Sequence, residues 1–163
     1  MNTVNTANAF DLKCLSLNVR GLNKSIKRRT VFRWLHKQNH HIIFLQESYC
    51  SKNLEPIWEN EWGGKALFSH GTNHSKGVIT LINPSVNFKL EKAIPDKQGR
   101  FIILKLSLEE KVILVNIYAP DDFAQQVYFF KRLFQQLEEF AQDTIVIGGD
   151  FNCTLTSNDK RGG

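Results

Sequence analysis

Scarcities bound this 163-residue chain before any motif is read. Its three cysteines, Cys14, Cys50 and Cys153, are odd in number and far apart. That excludes a disulfide framework and a Cys-x-x-Cys metal site, and leaves reduced thiols. No apolar run reaches the roughly 18 residues that a membrane-spanning helix needs, and residues 1–9 are polar, without the apolar stretch of a secretory signal. An intracellular monomer with no membrane partner is the expectation, with 1–9 a disordered tail and 10–163 one domain. Internal repeats and low-complexity linkers are missing too, which removes solenoids and multi-domain strings. Charge of one sign is only modestly in excess, +5 with a pI near 9.2. Such a balance draws polyanions to a surface without requiring a nucleic-acid role.

What is present suits a globular α/β protein: with 42% apolar residues the chain can bury a real core. β-Compatible residues over 10–18 predict a first strand, closed by turn chemistry at Arg20-Gly21-Leu22-Asn23. A helix follows. Ser25 is placed to cap it, Val31, Trp34 and Leu35 fall on one face, and Lys27, Arg28, Arg29 and Arg33 form a basic remainder that is either solvated or turned to DNA. The continuous apolar run 42–45 predicts a strand covered on both faces. Further strands are predicted at 66–69, 78–82, 86–90, 100–106 and 112–118, as an antiparallel meander. Between 123 and 141 the residues Phe123, Val127, Phe130, Phe134, Leu137 and Ala141 recur at helical spacing, which predicts a helix with that stripe against a sheet.

Four predicted strands end alike, in polar groups directly after apolar residues: Asn18, then Glu47, then Asn116 and Tyr118, then Asp150 with Asn152. Strand ends of layered α/β proteins are where loops build sites, because a rigid sheet fixes the side chains while one rim stays open. The run Thr144-Ile145-Val146-Ile147-Gly148-Gly149-Asp150-Phe151-Asn152 is the most telling. Its glycines would let backbone and ligand approach closely, and its carboxylate and carboxamide, two residues apart, can face one side of an extended segment.

The segments Leu17-Asn18-Val19-Arg20-Gly21-Leu22, Leu45-Gln46-Glu47-Ser48, Asn116-Ile117-Tyr118-Ala119-Pro120 and Gly149-Asp150-Phe151-Asn152 resemble the endonuclease/exonuclease/phosphatase superfamily. Within it they are most similar to the endonuclease domain of LINE-type retrotransposons. Gly21-Leu22-Asn23-x-x-Ile26-Lys27-Arg28 and Asp96-Lys97-x-Gly99 look like the same branch, and Gln46-Glu47-Ser48 exchanges one small hydroxyl for another in the commoner Gln-Glu-Thr. The resemblance runs from about Leu12 to Asp159. It implies a four-layered α/β sandwich of the DNase I-like type, of which this chain supplies roughly the first two thirds.

The same resemblance implies Mg²⁺-dependent phosphodiester hydrolysis, with Mn²⁺ as a substitute cation, DNA as the partner and the nucleus as the location. It implies Glu47 as a principal metal ligand with Asn18 beside it, Tyr118 on the scissile phosphate, Asp150 orienting the attacking water and Asn152 donating to a phosphate oxygen. Phosphodiester hydrolysis needs such groups, since an in-line water, phosphoryl charge and a leaving oxygen must all be stabilised. The superfamily's Ser-Asp-His segment is not in this sequence: all five histidines precede Tyr118. The expectation is therefore a chain nearly inactive alone, with apolar surface exposed on the inner face of its first sheet. Asp159 and Arg161 read as loop residues. The pairs His36/His40 and His70/His74 have helical zinc spacing without a third ligand. Two alternatives stay open: an abasic-site endonuclease or other superfamily relative, and a non-catalytic remnant that binds nucleic acid weakly.

Overall fold

The computed structural model describes residues 11–153. The expected tail, the loop residues Asp159 and Arg161, and Phe10 of the first predicted strand lie outside the described residues. Eight strands and three α-helices follow in the order β1 (Cys14–Asn18), α1 (Ser25–Lys37), β2 (Ile42–Gln46), α2 (Glu55–Trp62), β3 (Lys65–Ser69), β4 (Val78–Ile82), β5 (Lys89–Pro95), β6 (Phe101–Ser107), β7 (Lys111–Tyr118), α3 (Phe123–Leu137) and β8 (Thr144–Asp150). They form two four-stranded sheets, β1-β2-β4-β3 and β5-β6-β7-β8. The two sheets are built alike. Each has one parallel pair at an edge, β1 with β2 and β7 with β8, joined through a single helix, and the other pairings are antiparallel.

Three apolar clusters separate four layers. One packs Phe32 and Leu35 of α1 and Trp58 and Trp62 of α2 on the outer face of the first sheet. The second lies between the sheets, where Ile42, Phe44, Val78 and Ile82 meet Ile102, Leu104 and Leu114. The third packs Phe129, Leu133 and Leu137 of α3 on the outer face of the second sheet. Burial of each large side chain contributes about 1.5–3 kcal/mol, so the inter-sheet layer is a major part of what holds the sandwich together. The strand β2 is buried at every position, as its unbroken apolar run predicts. This is the α+β sandwich expected, but the inner face of the first sheet is covered by the second rather than exposed.

Several local expectations are corrected. Ser25 is the first helical residue of α1, and the capping position falls on Lys24, with no side-chain cap. Arg28 does not belong to a solvated face: it is buried, bonds Glu61 through Nε at 2.6 Å and Nη2 at 3.0 Å, and lies 4.8 Å from the Trp58 ring centroid. Trp34, placed on the core face by its spacing, is 47% exposed, while Phe32 is buried. The strand expected at 86–90 starts at Lys89 and runs to Pro95, and the predicted meander is split between two sheets. As an edge strand, β5 needs burial on one face only, so alternating charges in Lys89-Leu90-Glu91-Lys92 are tolerated. The helix α2, with Pro56 in its first turn and Gly63 in left-handed conformation at its end, has no counterpart among the elements predicted from the sequence.

The helix α3 exists, but its buried face is turned from the predicted stripe and shares only Leu137 with it among the buried residues. Asp122 caps it by accepting Gln125 N–H at 2.9 Å. Phe129, Leu133, Leu137 and then Phe140 face the sheet, whereas Phe123, Val127 and Phe134 of the predicted stripe are more than half exposed. Phe130 is half-buried and stacks on both Phe134 and Phe151. If this register is right, Phe129→Ala will cost about 3–5 kcal/mol in denaturant unfolding. The pair Phe123→Lys and Phe134→Lys will leave the unfolding midpoint within the error of the measurement and raise solubility.

Candidate active site

Strand register brings the polar strand ends together. Parallel pairing sets Asn18 opposite Gln46 at the carboxyl ends of β1 and β2, and Tyr118 opposite Asp150 at the carboxyl ends of β7 and β8. Both edges meet at one rim. Asn18 Nδ2 donates to Glu47 Oε1 at 2.8 Å and to Asp150 Oδ2 at 2.9 Å, so one carboxamide joins two carboxylates carried by different sheets. Asp150 Oδ1 accepts the backbone N–H of Asn152 at 3.1 Å, and Asn152 Nδ2 donates to Ala119 O at 2.8 Å. The Tyr118 phenol interacts electrostatically with Glu47. All five residues singled out from the sequence therefore share one place. An open cleft of about 660 Å³ is lined by Asn18, Gln46, Asp150 and Asn152, large enough for a hydrated cation and a phosphodiester.

Asn116, read with Tyr118 as a polar group at the third strand end, is instead fully buried. Its Nδ2 donates to Leu45 O at 3.2 Å and Ile79 O at 2.9 Å, and its Oδ1 accepts from Gln46 Nε2 at 2.9 Å. The two glycines of β8 also have an internal cause. A Cβ at Gly148 would lie 2.6 Å from the Phe44 ring, and one at Gly149 would lie 2.0 Å from Ile117 O, with φ at +143°. They let the sheets and strands close up; contact with a ligand is not what demands them.

The loops carrying the site are held in uncommon backbone conformations. Arg20, Glu47, Tyr49 and Asn152 all have φ between +46° and +60°. Each such non-glycine residue costs on the order of 1 kcal/mol, and strain of this kind concentrates at functional sites. Basic side chains of α1 offset it locally: Lys27 Nζ donates to Val19 O and Arg20 O, and Arg28 Nη1 to Leu22 O. Sequence reading gave these residues to solvent or DNA. In the structure they brace the loop after β1.

Burial works against ionisation of Glu47, but hydrogen bonds from Asn18 and Tyr49, the Tyr118 phenol and the Arg20 charge hold its carboxyl below the ordinary carboxylate value. Burial, then the interaction with Glu47, pushes the Tyr118 phenol up to about 12, against the pull of Arg100. At neutral pH the rim beside the cleft thus carries an ionised Glu47 and a protonated Tyr118.

The donors in the cleft are hard oxygens, carboxylate and carboxamide. These oxygens suit Mg²⁺, which takes one or two carboxylates and keeps several waters; the exposed Cys153 thiol, a soft group, also lines the cleft. No group of three or more His, Cys, Asp or Glu side chains able to hold a metal occurs among the described residues. The imidazole pairs form no zinc site either. His36 stacks on Trp62 at 4.1 Å, α1 ends before His40, and His70 bonds Glu55 and Cys50 O. The three cysteines carry free thiols, and no helix among the described residues is long and apolar enough to cross a membrane.

Two facing sheets whose carboxyl-end rim gathers two carboxylates, two carboxamides and a phenol define a class: α+β sandwich proteins with a polar site at one rim. Residues 15–163 match the model of the Endonuclease/Exonuclease/phosphatase family, and the chain belongs to that family. It is 32% identical over 151 residues to a Xenopus laevis protein described as the transposon TX1 uncharacterized 149 kDa protein, covering 91% of this chain and 12% of that one. In fold it is similar to an AP endonuclease from Archaeoglobus fulgidus, with a TM-score of 0.68 and 22% identity over 91% of this chain and 60% of that one. It is also similar to TDP2 from C. elegans, with a TM-score of 0.65 and 22% identity over 89% of this chain and 49% of that one. The chain thus spans about half the length of that solved relative, and far less of the transposon protein.

The lowered Glu47 carboxyl sets a sign for pH dependence. Because its folded value lies below its unfolded one, the stability it contributes is complete above the ordinary value near 4.5 and is lost as pH falls through the folded value. Denaturant unfolding from neutral pH into that acid range should therefore show wild type losing more stability than Glu47→Gln.

Proposed function

We propose that this chain is part of a Mg²⁺-dependent endonuclease that nicks DNA, of the kind carried by LINE-type retrotransposons. The observation that carries the reading is the Asn18 carboxamide shared between Glu47 and Asp150. Two carboxylates held this close at an open rim repel one another unless a donor or a cation lies between them. Likeness to the transposon protein favours DNA over lipid or inositol phosphates as the substrate. Nuclear location follows from that role.

Each residue has a task its surroundings allow. Glu47 would be the principal ligand of the cation. Asn18 now turns Nδ2 to the carboxylates while its Oδ1 accepts Arg20 N–H at 3.1 Å, so it would join as a ligand by rotating its amide. The bound Mg²⁺, or Mn²⁺ in its place, supplies Lewis-acid stabilisation of phosphoryl charge. Tyr118, kept protonated, donates to a non-bridging oxygen of the scissile phosphate. Asp150, fixed by Asn18 and by Asn152 N–H, accepts a proton from the attacking water and aims it. Asn152 has one amide N–H committed to Ala119 O and one left for the phosphate.

The reading is tested with supercoiled plasmid, using this chain and a chain extended by the length its relatives carry beyond it, in Mg²⁺ and in EDTA. Mg²⁺-dependent relaxation by the extended chain is expected, falling at least about a hundredfold in Glu47→Ala and in Asp150→Ala. Relaxation that persists in both variants, or in EDTA, would overturn the assignment.

A further inference from the structure

The loop after β2 contains a group the functional reading does not use. Tyr49 lies two residues past Glu47, and its hydroxyl donates to Glu47 Oε2 at 2.7 Å. The other oxygen, Oε1, is taken by Asn18. Held at both oxygens from opposite sides, the carboxylate cannot turn about its terminal bond. With Tyr118 interacting as well, one of the roughly four acceptor directions of a carboxylate stays open.

This contact is built by its surroundings rather than being a chance meeting of two mobile side chains. An extended chain would send residues 47 and 49 outward side by side. Here φ is +54° at Glu47 and +60° at Tyr49, which curls the loop so that the phenol returns to the carboxylate. Loops on either side clamp that curl: Gly21 N–H donates to Glu47 O at 2.6 Å, Leu22 N–H to Ser48 O, Ser48 N–H to Gly77 O and Tyr49 N–H to Lys76 O. The Tyr49 ring rests on the bare backbone of Gly21, where a Cβ would lie 2.6 Å from Cδ2. Gly21 has φ at +83°, so both its shape and its conformation are those the ring requires.

We propose that Tyr49 is a positioning residue whose phenol, seated on Gly21, fixes the plane of the Glu47 carboxylate for a divalent cation. The inference rests on the reading of Glu47 as the cation's ligand. Partners that orient a ligating group commonly set metal affinity by 10–100-fold, because an unheld carboxylate must first be ordered.

The test is direct Mn²⁺ binding to the full chain, followed by loss of the free-ion electron paramagnetic resonance signal, with thermal unfolding in EDTA as the control. Tyr49→Phe keeps the ring on Gly21 and removes only the donor. Its Mn²⁺ dissociation constant should rise about tenfold while unfolding in EDTA is unchanged. Tyr49→4-aminophenylalanine restores a donor at the same place and should recover most of the affinity, which a packing role alone would not produce. If Glu47→Gln abolishes binding but Tyr49→Phe stays within twofold of wild type, the positioning role is overturned and the reading of Glu47 stands. If wild type binds no Mn²⁺, or Glu47→Gln binds as wild type does, both fall.

Discussion

The buried amide pair between Gln46 and Asn116 ties the whole arrangement together. Gln46 ends β2 in one sheet and Asn116 lies near the end of β7 in the other, and both are about fully buried. Asn116 reaches across the gap to carbonyls of β2 and β4 while accepting from Gln46. Apolar side chains alone allow facing sheets to slide, since the hydrophobic effect has no direction. Directional bonds in a dry interior remove that freedom: leaving any of these groups unpaired would cost about 1–3 kcal/mol. The register between the sheets is thereby fixed directly beneath the cleft, and the Asn18 bridge above can join Glu47 to Asp150.

The site was more legible than the packing around it. Asn18, Glu47, Tyr118 and Asp150 stand where apolar runs stop, and a strand end is visible in sequence because a buried strand tolerates no ionised group. Asn116 followed the same pattern and misled, because an amide can be buried once it is bonded, and its partners are 37 to 71 positions away. Tyr49 left no signal. Its role depends on left-handed backbone and on a glycine from another loop, neither of which has a periodicity.

Among the helices, α3 shows how composition defeats periodicity. Its four phenylalanines and interspersed aliphatics supply two stripes of nearly the same spacing that converge on Leu137, one through Phe123, Val127, Phe130 and Phe134 and one through Phe129 and Leu133. Only the sheet beneath decides between them. Phe140, just past the helix, extends the second stripe and packs with it. The motif Asp96-Lys97-x-Gly99 had a similar fate: Gly99 O accepts Gly77 N–H, and Gly77 O accepts Ser48 N–H, so it supports the Glu47 loop from two bonds away.

Because the two carboxylates belong to different sheets, the gap between them is gauged by the girth of the side chains sandwiched below. Within that filling the Phe44 ring lies directly against the bare Gly148. A single methyl added there would act as a wedge, spreading the rim while every reactive group kept its own neighbours along the strand. The interior thus serves as a calliper for the chemistry above it, and divergence in core volume is one route by which sheets of this design could be retuned to cations or phosphates of other sizes.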